Sequence, residues 1–306
     1  MGPRIYAGIV ALLTLLTAAC AEPQRQGAET VTDDLGRSIG VPMPALRVAT
    51  LAPNLTEIVY SVGAGDRLVG AGAPDNHPRA VDTLPRYSTY PVDFEALAAL
   101  QPDLVLATTQ INTPRTAETL EAIGIPTYFL SFSGLDDVFD GMETVGHLLG
   151  TAVAARAAVD SLREQAAELR RITARVEEPP SVLFLIGPET LYSFGGPSYI
   201  HEVIELAGGR SITQDLPAAA PVLSEEYVLS EGPDVIVGPW SSETGTSDLL
   251  ENHPTWGVVP AVRDGRVYGV EADLVARPGP RLVAGARALA KHLHPALFAA
   301  ATTDSN

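Results

Sequence analysis

The chain has 306 residues, enough for one large domain or two ordinary ones, with 37 acidic and 20 basic side chains and a formal net charge of −17. A hydrophobic fraction of 46% argues against wholesale disorder, and the acidic balance argues against nucleic acid as a partner, because phosphate binding needs clustered basic side chains. The single cysteine excludes an intrachain disulfide, a CxxC redox pair and a cysteine-rich zinc site.

The first twenty residues have the pattern of an export signal. Arg4 lies in a short polar start, an apolar run covers 9–16, and small residues lead directly to Cys20. The run is shorter than the roughly 20 residues that cross a bilayer, which is typical of a signal peptide. The arrangement resembles a bacterial lipoprotein signal, and the resemblance implies cleavage before Cys20 and acylation of its sulfur. We therefore expect a signal peptide at 1–19, a tether at 20–30, and an exported protein anchored by lipid to the cell membrane on its extracytoplasmic side. An ordinary secretory signal is the alternative.

Short apolar runs alternate with longer amphipathic stretches along the rest of the chain. Residues 31–41 predict a hairpin with its turn near 34–36. Continuous apolar runs such as 104–106 predict strands buried on both faces, which is typical of a parallel sheet covered by helices. Such strands are predicted in both halves of the chain, at 47–51, 68–72, 103–107, 126–130, 181–186, 234–237 and 266–270. This alternation predicts an α/β fold in each half.

One long helical pattern joins the two halves. Apolar residues fall near the 3.6-residue spacing of a helix from 152 to 175, no Gly or Pro interrupts them, and the prolines at 179–180 end the pattern. At 1.5 Å per residue this helix would be a rod of roughly 36 Å. We predict an N-terminal α/β lobe at 31–150, a linking helix at 151–176 and a C-terminal α/β lobe at 180–300, with little movement between the lobes.

A short segment occurs once in each half. Residues 93–103 and 224–234 both begin with a capping residue two positions before a glutamate, and both reach Pro-Asp and a buried strand seven residues after it. We interpret the two segments as one structural unit used twice, with Glu95 and Glu226 at matching positions. A carboxylate in the first turn of a helix also stabilises that helix by about 0.3–1 kcal/mol, so a purely structural role is the alternative.

Several segments in order between residues 31 and 298 carry a wider resemblance. They read RVATLAPNLTEI at 47–58, GDRLVG at 65–70, QPDLV at 101–105, LEAIGIP at 120–126, LAGG at 206–209, LSEE at 223–226, AVRDGRVY at 261–268 and RPGPRL at 277–282. Together they resemble the substrate-binding proteins of bacterial ABC importers, in the class that handles vitamin B12, ferric siderophores and haem. The resemblance implies two Rossmann-like α/β lobes joined by one long rigid helix, with a ligand cleft between the lobes.

The resemblance also implies the partners of the chain. They are an ABC permease with its ATPase and a metal-chelate small molecule, with no intrinsic cofactor and a monomeric binding protein. In the family a glutamate on each lobe docks into arginines of the permease, and by position these are Glu95 and Glu226.

Asn54 followed three residues later by Glu57 predicts a capping box, so we expect Glu57 to stabilise the start of a helix.

Ligand is expected in the cleft, against loops that follow the carboxyl ends of the strands. Aromatic faces there suit a flat macrocycle, although each ring is also compatible with ordinary packing. Polar and ionic contacts are expected from an aspartate and an arginine near the end of the second lobe. The predicted ligand-binding residues are His77, Tyr90, Thr108, Tyr192, Phe194, Trp240, Asp273 and Arg277. Tyr192 is favoured most, since LYSFGG at 191–196 resembles a cleft-lining loop of the family.

The transported ligand is expected to be a cobalt corrinoid or an iron chelate. The overall pattern resembles corrinoid binders, especially around Asp273 and Arg277, but Thr89, Thr108 and Ala220 stand where a corrinoid binder presents tryptophans. A ferric siderophore is therefore the alternative ligand. Haem is a further one, with His77 or a tyrosine as the iron ligand.

Catalytic motifs are missing from the sequence. It has no GxSxG elbow, Walker A loop or GxGxxG, and HEVIE at 201–205 lacks the second histidine of a zinc peptidase motif. We therefore expect a binding protein and not an enzyme. A ligand sensor built on the same scaffold is the remaining alternative.

Overall fold

The computed structural model describes residues 27–240 and 245–299. Cys20, the predicted signal peptide and residues 20–26 of the predicted tether lie outside the described residues. Within the described ranges, no helix combines the length and the apolar character needed to span a bilayer.

The N-terminal lobe contains a three-stranded parallel sheet in the order β3-β6-β7, a parallel pair β4-β5 and an antiparallel hairpin β1-β2. Its elements are β1 (Ala28–Thr32), β2 (Ser38–Pro42), β3 (Val48–Thr50), α1 (Pro53–Ser61), β4 (Ala71–Gly72), β5 (Arg86–Tyr87), α2 (Phe94–Ala99), β6 (Leu104–Thr108), α3 (Pro114–Glu121), β7 (Thr127–Leu130) and α4 (Leu135–Leu148). Single 3₁₀ segments occupy Gly65–Arg67 and Arg79–Thr83.

Helix α5 (Ala152–Thr173) leads to the C-terminal lobe, whose parallel sheet has the order β11-β10-β8-β9. The elements of that lobe are β8 (Ser181–Phe184), α6 (Tyr199–Leu206), β9 (Arg210–Ser211), α7 (Glu225–Glu231), β10 (Val235–Gly238), α8 (Thr246–Asn252), α9 (Pro260–Arg263), β11 (Val267–Gly269), α10 (Ala272–Val275), α11 (Leu282–Leu293) and α12 (Pro295–Ala299). A 3₁₀ segment occupies Pro254–Val258.

The predicted fold class is confirmed: two α/β lobes with parallel sheets are joined by one long helix. Each predicted strand overlaps an observed one, with β6 and β10 each ending one residue later than predicted, whereas the two-residue strands β5 and β9 were not predicted. The hairpin turns at Gly36, which has the left-handed φ of +75° that glycine adopts without steric cost. Strand β1 begins at Ala28, so residues 28–30 of the predicted tether pair with β2.

The linking helix α5 is continuous over 22 residues, about 33 Å at 1.5 Å per residue. Ala155, Val159, Ala166 and Leu169 are at most 1% exposed and form its inner face. These buried residues recur at helical spacing, so one face of α5 packs along its length against both lobes, on α4 of the first and on α6 and α11 of the second.

The main hydrophobic core is shared by the two lobes. One continuous cluster of buried side chains includes Leu55 and Val138 of the first lobe, Val159 of α5, and Phe184 and Leu289 of the second lobe. Two smaller clusters each lie within one lobe, on the other face of its sheet. The lobes are thus joined by packed side chains as well as by the chain itself.

The repeated segment forms the same structure in both lobes. Asp93 and Ser224 each accept a hydrogen bond from the backbone N–H three residues later, at 3.0 and 3.2 Å, and so cap α2 and α7. After each helix one residue takes a left-handed conformation, Gln101 with φ 49° in the first lobe and Gly232 with φ 51° in the second.

The aspartates that end the repeated segments also have equal roles. Asp103 accepts hydrogen bonds from the backbone N–H groups of Leu46 and Arg47, both at 3.0 Å, just before β3. Asp234 accepts from the backbone N–H and the hydroxyl of Ser181, at 2.8 and 2.7 Å, where β8 begins. Each aspartate fixes the register of one sheet strand against its neighbour, which supports the interpretation of a unit used twice.

Candidate ligand-binding cleft

A cavity of about 810 Å³ lies between the lobes and is lined by side chains of both. Thr108 ends β6, Ser131 follows β7 and Leu51 follows β3, so the carboxyl ends of the parallel strands meet at the cavity. This is the edge at which ligands bind in open α/β sheets. The volume is near the upper end of ordinary small-molecule pockets, which indicates a large ligand.

The first lobe contributes a wall of positioned hydroxyl and amide groups. The Thr109 hydroxyl lies 2.9 Å from the Ser131 hydroxyl, and the Gln110 side-chain amide donates to the carbonyl of Phe132 at 3.0 Å. Asn112 accepts a hydrogen bond from the backbone N–H of Thr108 at 3.1 Å and closes the loop after β6. These bonds hold the polar groups in place without a ligand.

The second lobe contributes an aromatic wall on a short antiparallel ladder of backbone hydrogen bonds between residues 192–195 and 219–222. Ser193 N–H donates to the carbonyl of Pro221 at 3.0 Å, and Gly195 N–H to that of Ala219 at 3.1 Å. Between them Phe194 lines the cavity, with its ring edge-on to Phe184 at a centroid distance of 5.7 Å. The ring of Phe194 is therefore held by packing on its far side.

Charged side chains of both lobes meet beside the cavity in what we call the interlobe ionic cluster: Glu57, Asn76, Asp273, Arg277 and Arg281. Glu57 on α1 is 3% exposed and accepts from Arg281 Nε at 2.8 Å, Arg281 Nη2 at 2.7 Å and Arg277 Nη1 at 3.0 Å. Arg277 also pairs with Asp273 at 2.8 Å and donates to Asn76 at 2.7 Å, while Asn76 donates to Asp273 at 2.7 Å. The hydrogen bonds that Arg281 donates to Glu57 raise the pKa of the Arg281 guanidinium.

The predicted capping box at Asn54 and Glu57 is wrong. The cap residue of α1 is Ala52, which makes no side-chain capping bond, and Pro53 opens the helix. Asn54 instead donates to the carbonyl of Pro278 across the lobe interface at 2.9 Å. Both polar side chains of the motif therefore contact the other lobe.

A second buried carboxylate, Asp75, lies close to the interlobe ionic cluster and is 4% exposed. Its Oδ2 accepts from the Thr56 hydroxyl at 2.6 Å and from Gly72 N–H at 2.9 Å, while its Oδ1 has no partner among the described residues. Burial raises the pKa of Asp75, and the Thr56 and Gly72 hydrogen bonds offset part of that effect. The carboxyl is thus more easily protonated in the folded protein than in the unfolded chain.

Asp75→Asn should change how stability depends on pH. Because the folded-state pKa of Asp75 is raised, the stability of the wild type relative to Asp75→Asn is highest in acid and falls as pH rises through the raised pKa. The free energy of unfolding, measured in denaturant from about pH 3 to about pH 7, checks this: the difference between the two proteins should change in total by about 1.4 kcal/mol for each unit of pKa shift. Asp66→Asn at the surface is the control, and parallel curves for wild type and Asp75→Asn would contradict the expectation.

Four of the predicted ligand-binding residues line the cavity: Tyr90, Thr108, Phe194 and Arg277. Tyr90 is 85% exposed at its rim, and Thr108 is 1% exposed in its wall. Asp273 does not line the cavity; its carboxylate instead pairs with Arg277 and accepts a hydrogen bond from Asn76. Asp273 therefore contacts the site only through Arg277, which does line the cavity.

The other three predicted residues lie off the cavity wall. His77 is exposed on the loop after β4. Tyr192 is 46% exposed and sits beyond Phe194, farther out on the same ladder. Trp240 packs over Gly238, where a Cβ would collide with its ring, and its partly buried side chain packs against the core of the second lobe. Its ring fills the space left by the missing side chain of Gly238.

Sequence reasoning missed several polar residues of the wall, among them Ser131, Ser133 and Ser198. The first two follow β7, which was predicted at 126–130, so the rule that ligands contact the carboxyl ends of strands could have found them. Ser198 caps α6 by accepting from Ile200 N–H at 3.3 Å, and nothing local in the sequence separates this role from a cavity position.

The wall carries little charge. Arg277 is its one formally charged side chain among the described residues, and no group of three or more His, Cys, Asp or Glu in the described ranges could hold a metal ion. Hydroxyl and carboxamide side chains supply most of its polar groups: Asn54, Thr89, Thr108, Thr109, Gln110, Ser131, Ser133 and Ser198. The arrangement can hydrogen-bond a large, nearly neutral molecule.

Glu95 and Glu226 lie exposed in the first turns of α2 and α7. Neither carboxylate has an ion-pair partner in the part of the chain that the structure describes. The neighbouring Glu225 differs, because it accepts from Thr255 at 3.0 Å and lies 3.1 Å from His253 Nδ1. These hydrogen bonds, the one with His253 first, lower the pKa of Glu225.

Two α/β lobes, a long helix between them and a cavity walled by both lobes define a two-lobed binding protein. The periplasmic binding protein family model matches residues 48–274, and the chain belongs to that family. Membership confirms the interpretation of a binding protein and not an enzyme, and it identifies the chain as a periplasmic or extracytoplasmic protein.

Individual relatives agree with this assignment. The chain is 26% identical to YvrC of Bacillus subtilis, named an uncharacterized ABC transporter substrate-binding lipoprotein, over 95% of this chain and 98% of that protein. The structure of the vitamin B12-binding protein BtuF of Vibrio cholerae matches with 27% identity and a TM-score of 0.71, over 82% of this chain and 98% of that one. A periplasmic haem-binding protein of Pseudomonas aeruginosa matches with 26% identity and a TM-score of 0.73, over 82% and 94%. The resemblance stated from the sequence is confirmed.

Proposed function

We propose that the protein is the substrate-binding component of an ABC importer that captures a cobalt corrinoid in the interlobe cleft and delivers it unchanged to the permease and its ATPase. The observation that carries this proposal is the character of the cavity wall. A space of about 810 Å³ is lined by hydroxyls, carboxamides and aromatic rings, with one formal charge among the described lining residues.

The chemistry of a corrinoid suits such a wall. A corrin ring is a broad, flat surface with amide groups around its edge. Hydroxyl and carboxamide side chains can both donate to and accept from amides, as Gln110, Ser131 and Ser133 could here. The ring of Phe194 and the exposed ring of Tyr90 offer flat apolar faces. The name of BtuF, a vitamin B12-binding protein, supports the same ligand class.

A ferric siderophore is less well suited to this wall than a corrinoid, whereas haem is a second candidate ligand. An anionic ferric chelate is held by several cations, whereas Arg277 alone lines the cavity and its charge is already paired. Haem is the second candidate, because the phenol of Tyr90 stands 85% exposed on the wall and a tyrosine can ligate haem iron. The name of the Pseudomonas aeruginosa relative supports that candidate.

The remaining expectations complete the proposal. Glu95 and Glu226 dock the loaded protein onto the permease, one from each lobe, and Cys20 carries the lipid that keeps the protein at the membrane. A monomer is sufficient for this role, since both walls of the cavity come from one chain.

The ligand is identified by titrating the purified protein with cyanocobalamin, haemin and a ferric hydroxamate, followed by intrinsic fluorescence. We expect cyanocobalamin to bind most tightly. Phe194→Ala should weaken its binding about tenfold, since an aromatic contact with its buried area is lost. Tyr192→Ala, which removes an aromatic ring outside the wall, is the matched control and should change affinity less than about twofold. Tighter binding of haemin or of the hydroxamate would overturn the corrinoid assignment.

A further inference from the structure

The interlobe ionic cluster connects the two lobes through one buried carboxylate. Glu57 belongs to α1 of the first lobe, and its two arginine partners lie between α10 and α11 of the second. Its side chain is 2% exposed, and those of Arg277 and Arg281 are 16% and 19% exposed. Charges so poorly hydrated depend on one another, because removal of one partner leaves the others buried and unpaired.

The positive and negative charges of the interlobe ionic cluster are equal in number, and hydrogen bonds connect all its members. Two carboxylates, Glu57 and Asp273, face two guanidinium groups, and the amide of Asn76 bridges Asp273 and Arg277 from the first lobe. Arg281 grips Glu57 in a two-bond fork, the geometry that fixes orientation as well as distance. Relative rotation of the lobes would break several of these bonds together.

One member of the cluster also forms part of the cavity wall. Of the five N–H groups that a guanidinium carries, Arg277 uses three, toward Glu57, Asn76 and Asp273. The remaining two have no partner among the described residues and are available to a ligand, on a guanidinium whose orientation is fixed by those three bonds. Glu57 itself does not line the cavity. Its influence on a ligand must therefore act through Arg277 and through the angle between the lobes.

We propose that Glu57 is a positioning residue that fixes the interlobe angle and aims Arg277 into the cavity, so that the cleft is preorganised for its ligand. Preorganisation raises affinity because the ordering is complete before the ligand arrives. The inference rests on the proposed function only for the choice of ligand, since the interlobe ionic cluster joins the lobes whether or not a ligand is bound.

The first test compares Glu57→Gln with Glu202→Gln. Glu202 also reaches across the lobes, accepting from Leu135 N–H at 2.7 Å, but it has no contact with the interlobe ionic cluster. With cyanocobalamin as the probe, Glu57→Gln should lower affinity about tenfold or more, and Glu202→Gln less than about threefold. Equal affinity of wild type and Glu57→Gln would overturn the proposal. Affinities are measured well below the melting temperature of each variant, and if Glu57→Gln does not fold, Arg281→Gln replaces it.

The second test asks whether Glu57 acts through Arg277. In an Arg277→Gln background the further loss caused by Glu57→Gln should be much smaller than in the wild type, because the group it orients is gone. Losses of the same size in both backgrounds would contradict a positioning role.

The third test needs no ligand. Spin labels on Glu118→Cys and Glu231→Cys, exposed on α3 and α7 of opposite lobes, report the interlobe distance in a Cys20→Ser background. Glu57→Gln should broaden the distance distribution, and an unchanged distribution would overturn the proposal that Glu57 fixes the interlobe angle. If the wild type fails to bind cyanocobalamin while Glu57→Gln still broadens the distribution, the corrinoid proposal fails and the proposed role of Glu57 in fixing the angle is retained.

Discussion

Reversing the charge of both Glu95 and Glu226 is expected to abolish uptake of the ligand while leaving its affinity for the binding protein unchanged. Both carboxylates are exposed, lie at matching positions of a repeated unit, and sit away from the residues that line the cavity. Lysine at both sites would place like charges against basic groups of the permease, and such pairs slow association and misalign the complex. Transport into cells or proteoliposomes and a ligand titration of the purified variant measure the two effects separately.

The matched control is Glu118→Lys with Glu251→Lys. These substitutions make the same change in net charge at exposed helical positions, one on each lobe. Uptake by this control should remain near the wild-type level. A loss of affinity in Glu95→Lys/Glu226→Lys as large as the loss of uptake would refute the docking role, since it would place the two glutamates at the ligand and not at the permease.

The second large effect concerns α5. Proline in place of Ala167, an exposed residue in the interior of this helix, should lower the free energy of unfolding by about 3 kcal/mol or more, because it removes a helical hydrogen bond and its ring clashes with the preceding turn. Glycine at the same position keeps the N–H group and should cost about 1 kcal/mol. Equal losses in denaturant unfolding for the two variants would show that continuity of the helix contributes little.

Those features that depend on neighbours in sequence could be predicted. The apolar runs that became β6 and β10, and the spacing that became α5, are local signals with a single structural solution. The repeated segment was visible because its capping residue, glutamate and Pro-Asp recur at the same spacing, and the structure gives Asp103 and Asp234 the same strand-fixing role. Two-residue strands such as β9 carry too short a pattern to be predicted.

The interlobe ionic cluster was not predicted, for a different reason. Asn54 and Glu57 stand three residues apart, as in a capping box, but their actual partners are Pro278, Arg277 and Arg281, more than two hundred positions along the chain. Nothing local distinguishes the two arrangements. Similarly, Tyr192 and Phe194 stand two residues apart in one extended segment. Only the folded structure shows that Phe194 lines the cavity while Tyr192 is 46% exposed and does not.

The shared core has a consequence for how the molecule can be divided. Helix α4 packs on α5 and α6, and α5 packs on α11, so apolar side chains from both halves fill a single interior. Truncation near residue 150 or 180 would expose apolar side chains of the shared core on either fragment, so we expect each fragment to aggregate when it is expressed alone. The boundary between the lobes thus marks which sheet a strand joins, and we expect the two lobes to unfold together in one cooperative transition.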